Sequence, residues 1–104
     1  MRYLTLVDGS DHTPSTADLV RYCAVTVGER AMTADDVRRR IRILDALDVA
    51  NGVLALEDQD HALLAQIASG PIWRPAGTDP VAVLRAVVVF TTAVAAAPKE
   101  RSDG

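Results

Sequence analysis

Aromatic rings, cysteine and histidine are scarce in this chain: its 104 residues include one Trp, two Tyr, one Phe, one Cys and two His. The lone Cys23 has no internal partner, which excludes a disulfide-stapled scaffold and fits a reducing, cytoplasmic setting. Its place on an apolar helical face marks it as a buried thiol. With so few His and Cys, no ligand set at transition-metal spacing can be assembled, and no metal or cofactor is expected. Lys and Arg number 11 against 14 Asp and Glu, a net charge of −3. The cationic surplus that phosphate binding draws on is missing, so nucleic acid is not an expected partner. There is no phosphate loop and no dinucleotide fingerprint. Ser10 or Ser15 with His12 and Asp11 makes no nucleophilic triad, because these are chain neighbours without a strained elbow or oxyanion donors. No catalytic residue is nominated, and the chain is not expected to be an enzyme. Long apolar runs are lacking too. Met1-Arg2-Tyr3 passes into alternation and then Asp8, which is not a secretory leader. Val81 to Ala97, broken by Arg85, Thr91 and Thr92, is shorter than the roughly 20 residues a membrane span needs.

What remains is ordinary globular material. Hydrophobic residues make up 49% of the chain, enough for one domain with a real core. The expectation is a single α+β domain over residues 1–97, about four helices with a short two-stranded sheet, and a flexible tail over 98–104. Two strands alone are marginal, so the sheet must lean on helices or be extended by a second subunit.

The stretch from Thr33 to Ser69 organises the rest. Thr33 and Asp36 have the spacing of a capping box, which starts a helix near Ala34. Val37, Ile41, Leu44 and Leu47 recur at helical spacing and predict its dry face, with Arg38, Arg42 and Asp45 turned away. Asp35 with Arg39, and Asp36 with Arg40, are acid-then-base pairs four apart. Arg40 falls on the apolar stripe, where it must snorkel, pair with an acid or meet a partner across an interface. Asn51-Gly52 is read as the C-terminal cap. Val53-Leu54-Ala55-Leu56 reads as a buried strand, Asp58 as the cap of a helix carrying Leu63, Leu64 and Ile67, and Gly70-Pro71 as its end.

Before this stretch, Tyr3 to Val7 alternates as a half-buried strand with Leu4 and Leu6 on one face. Asp8 to Asp11 is turn chemistry, with a hairpin return through His12-Thr13 as an option. Ser15 and Asp18 form a second capping box, opening a helix with Leu19, Val20, Cys23 and Val27 inward and Gly28 at its end; Glu29 to Met32 is a connector. After it come a Pro- and Gly-containing loop with Trp73, then Asp79-Pro80, a well-formed helix start. From Val81 to Ala97 the helix is apolar almost all round, although the β-branched run Val87-Val88-Val89 favours strand. Val81, Leu84 and Val88 mark one face; Val83, Val87, Phe90 and Val94 mark another. A domain this small covers only one, so the other is expected to meet a subunit or partner.

Four groups qualify as candidate sites. Asp8, Ser10, Asp11 and His12 offer cation ligands but lack the spacing and terminal Glu of a calcium loop, and suit a turn. Glu57, Asp58, Asp60 and His61 form a denser cluster, yet acids at a helix N-terminus are stabilised by the macrodipole without a metal. Arg38, Arg39, Arg40 and Arg42 suggest an anion site or, more plainly, a solvated face neutralised by Asp35, Asp36, Asp45 and Asp48. Trp73, between Ile72 and Arg74, is either an exposed anchor or a plug for a core short of aromatics.

YLTLVDGS at the start, STADLV opening the first helix, and RILDAL with the following NG, L.LED.D and L resemble small proteins encoded by tailed phages and prophages. The resemblance carries no site residue or activity; it implies a setting of compact chains that assemble into particles or bind host proteins. The leading expectation is therefore a cytoplasmic, non-catalytic, self-associating protein-binding module, with Trp73, Arg74, Val83, Val87, Phe90 and Val94 as interface residues. The alternative is an oligomer that binds a small anion or nucleotide through Arg40, Arg74 and Arg85. A metal enzyme using Asp58, Asp60 and His61 is the third.

Overall fold

The computed structural model describes residues 1–10, 13–26, 31–74 and 79–99. The elements run β1 (Arg2–Thr5), α1 (Thr16–Val25), α2 (Ala34–Asp48), β2 (Val53–Leu56), α3 (Asp58–Ala68) and α4 (Pro80–Ala95). They form an α+β domain of four helices and one two-stranded sheet.

Helix starts follow the capping residues. Ser15 Oγ accepts from Asp18 N at 3.1 Å while Asp18 Oδ2 accepts from Ser15 N at 3.2 Å, a complete box. Thr33 Oγ1 accepts from Asp36 N at 3.1 Å, and Asp79 Oδ1 from Ala82 N at 3.0 Å, with Pro80 in the first turn of α4. For α3 the capping prediction fails. Asp58 lies inside the helix, and the cap position is Glu57, which makes no side-chain capping bond. Asp58 instead accepts from the Met1 ammonium at 2.7 Å. That hydrogen bond, and then the ammonium charge, holds its carboxyl below the usual range.

β1 and β2 are antiparallel, with Arg2 opposite Leu56, Tyr3 opposite Ala55, Leu4 opposite Leu54 and Thr5 opposite Val53. Leu6 N donates to Gly52 O at 2.9 Å, which continues the ladder and shows that Arg2, Leu4 and Leu6 are the residues bonded to β2. The amides between them face outward. Tyr3 N donates to Pro98 O at 3.0 Å and Val7 N to Thr16 Oγ1 at 3.0 Å, so both ends of the outer edge of β1 are occupied. Pro98, the first residue of the expected tail, is thus hydrogen-bonded to the sheet. Gly52 has a φ of +78°, the left-handed conformation read for it. Its position differs: α2 has already ended at Asp48 with Val49 as its cap, and Gly52 turns the chain into β2.

The core gathers Leu4, Leu54 and Leu56 from the sheet, Leu19, Val20, Cys23 and Ala24 from α1, Ile43 and Leu47 from α2, Leu64 and Ala68 from α3, and Phe90 and Val94 from α4. On α2 the dry face is rotated from the predicted one. Val37 and Ile41 stand 40% and 50% exposed, while Ile43 is fully buried and Arg40 takes the inward position between it and Asp36. α1 ends at Val25 with Thr26 as its cap, short of the expected end at Gly28; Val27, Gly28 and Glu29 of that end and the connector, and Asp11 and His12 of the hairpin reading, lie outside the described residues.

Candidate functional site

α4 is pinned by its inner face. His61 Nε2 lies 2.7 Å from Val94 O; a carbonyl only accepts, so this nitrogen carries the proton. Trp73 meets Phe90 edge-on at 5.9 Å and stacks on Tyr22 at 5.3 Å. Its Nε1 donates to Ala68 O at 2.8 Å, and Tyr22 donates its hydroxyl proton to Ile72 O. Trp73 therefore plugs the core from its loop, whereas Arg74 is exposed.

This packing decides which side of α4 is open. Phe90 and Val94 are buried, Val83 and Val87 half-buried, so the four α4 residues of the expected interface set lie on the side that packs toward this chain's own core. The opposite side carries Val81 at 57%, Leu84 at 49%, Val88 at 64% and Val89 at 65% exposure. The sequence showed the Val81, Leu84, Val88 stripe. It held no local signal for which stripe would be free, because that follows from Trp73 and His61 reaching α4 from other elements.

Beside the open side runs a groove of ≈ 460 Å³ between α4, β1 and the start of α1. Thr5, Val7, Pro14 and Leu19 form one wall, Ala82, Ala86, Val89 and Ala93 the other, and Arg85, Asp8 and Asp79 supply its charge. The turn leading into it is closed by Ser10 N to Thr13 O at 2.8 Å and Thr13 N to Ser10 O at 3.3 Å.

The clustered acids are dispersed by separate partners. Asp60, 3% exposed, accepts from Arg42 Nη2 at 3.0 Å; Asp58 pairs with the chain start; His61 reaches α4. Among the described residues no three His, Cys, Asp or Glu side chains are grouped to hold a metal ion. Arg39 pairs with Asp35 at 3.1 Å as predicted. Arg40 does not pair with Asp36 but runs to the end of α1, its Nη1 donating to Cys23 O, Ala24 O and Thr26 O at 3.2, 3.2 and 2.7 Å. It caps the negative end of that helix. Arg40 lines a second hollow of ≈ 530 Å³ with Thr33, Gln66 and Pro71, Arg85 lines the first groove, and Arg74 lines neither. No helix among the described residues is long and apolar enough to cross a membrane.

The fold and the open helix side together describe a small α+β domain with an uncovered apolar surface. Compared with protein-family models, curated proteins and solved structures, the chain finds no match.

Proposed function

We propose that this protein is a non-catalytic binding module that uses the open side of α4, Val81, Leu84, Val88 and Val89, to meet another protein chain, a second copy of itself first among them. The supporting observation is the exposure of four large aliphatic side chains on one helix whose other side already fills the core. The phage resemblance supplies the setting, particle assembly or the blocking of a host protein. An anion site on Arg40, Arg74 and Arg85 has less support, since Arg40 is engaged with the α1 carbonyls and the three line no common hollow. Sedimentation velocity across a micromolar concentration series tests the self-association. The wild-type chain is expected to sediment faster as concentration rises, and Leu84→Asp to lose the part of that rise that the α4 contact contributes. A wild-type monomer at every concentration would remove self-association from this reading.

A further inference from the structure

The two edges of the sheet are unequal. On the outer side of β1, Pro98 takes the Tyr3 amide and Thr16 takes both the amide and the carbonyl of Val7, leaving the Tyr3 carbonyl and the Thr5 groups between two covered ends. β2 has no such cover among the described residues. Because Leu54, Leu56 and Gly52 bond to β1, the N–H and C=O groups of Val53 and Ala55 point the other way, and they have no hydrogen-bond partner among the described residues. Ala55 is exposed and Val53 half-buried. The strand Val53–Leu56 also carries none of the devices that blunt an edge: no Lys, no Pro, no bulge.

We infer that the free edge of β2 pairs with β2 of a second copy, antiparallel about a two-fold axis at Leu54, to make a continuous four-stranded sheet. The strand is self-complementary in one register. With Leu54 opposite its own counterpart, Val53 of each copy faces Ala55 of the other, and both pairs exchange N–H and C=O, so all four outward groups of each strand are used. Shifting by two residues in either direction leaves just one such pair. The Leu54 register also keeps Leu54 and Leu56 of both copies on the covered face of the sheet. A two-stranded sheet is marginal and gains from extension. The occupant is thus a second copy, whose β2 offers the same short apolar strand in the one orientation that satisfies every outward group. The contact is small, so the dimer dissociates on dilution.

This inference is independent of the α4 surface, and amide hydrogen exchange separates the two. In the full chain at high concentration, the Val53 and Ala55 amides are expected to be protected, and to lose that protection on dilution as sedimentation shows monomer. Ala55→Pro removes an amide that the β1 ladder does not use, and Ala55→Lys charges the edge; combined with Val88→Asp, either is expected to leave a monomer while circular dichroism and the melting transition persist. The same protection is expected in Val88→Asp, where the α4 contact is disabled. Rapid exchange of Val53 and Ala55 at all concentrations overturns the inference. So do protection in a chain that sediments as a monomer, loss of protection in Val88→Asp, and a dimer that survives both Ala55 variants when each is combined with Val88→Asp.

Discussion

A methyl group at position 9 would lie 2.5 Å from Thr13 O and 2.7 Å from Ser15 N, backbone atoms that cannot swing aside. Gly9→Ala must therefore open the turn that delivers α1 to β1. A loss of about 1–3 kcal/mol is expected, the usual range for forced overpacking, read as a lower urea midpoint by Trp73 fluorescence. An unchanged midpoint would show that the turn relaxes freely. Cys23, fully buried, has its thiol pushed up from 9.0 to about 12 by burial, with the Arg40 charge pulling weakly the other way. Ellman's reagent should accordingly label the protein only as it unfolds. The folded thiol keeps its proton where the unfolded one has lost it. Its contribution is intact below pH 9.0 and is lost as pH rises toward 12. The stability gap between wild type and Cys23→Ala should narrow across that interval; a widening gap would contradict the sign. Arg40→Ala strips three carbonyl contacts from the end of α1. Hydrogen bonds to a charged donor contribute about 1.5–3 kcal/mol, and partial exposure places the expected loss at the low end. Arg40→Lys should recover part of it, since all three bonds come from the single nitrogen Nη1 and an ammonium also carries three donors, though on a shorter stem.

At the scale of elements, short-range chemistry was legible and long-range choice was not. Ser15, Thr33 and Asp79 cap the helices they precede, because a cap needs only its own next three residues. Val53–Leu56 is the strand its Gly and acidic neighbours framed. Even Val87-Val88-Val89 stays helical, held by the burial of Phe90 and Val94 on the same helix. The face of α2 was misjudged for a different reason. Val37, Ile41, Leu44 and Leu47 make a credible stripe, but the end of α1 needs a donor, and Arg40 supplies it only if the helix turns Ile43 inward. Nothing within α2 records that demand. The same holds for α3, where Asp60 is buried because Arg42 of α2 reaches it at 3.0 Å. Arg42→Ala would leave that carboxylate without its cation. The Arg42 side chain is 56% exposed, so water takes up part of the loss. A drop of about 1–3 kcal/mol in unfolding free energy is expected. Asp60→Asn, which keeps the shape and an acceptor, should cost less than Arg42→Ala, and the reverse order would place the weight on the charge of Asp60.

For the molecule as a whole, the question is what the open side of α4 does to stability. Val88 is 64% exposed, so in an isolated chain Val88→Asp removes little packing, and substitutions at such sites usually change stability by less than about 0.5 kcal/mol. Helix propensity separates Val from Asp only slightly. If the same side chain is covered by a second copy, the folded state is drawn forward by mass action and the melting temperature rises with protein concentration. The two situations give distinct pairs of curves. Under self-association the wild-type melting temperature climbs through a dilution series, while that of Val88→Asp stays closer to level, and the two proteins converge at the lowest concentration, where both are monomers. A carboxylate at the centre of a covered apolar side has no partner there, which is why the variant should lose the concentration dependence that the α4 contact contributes. Should Val88→Asp melt well below wild type even at the lowest concentration, Val88 would be supporting the fold of the single chain, and its exposed position would not mark a contact surface.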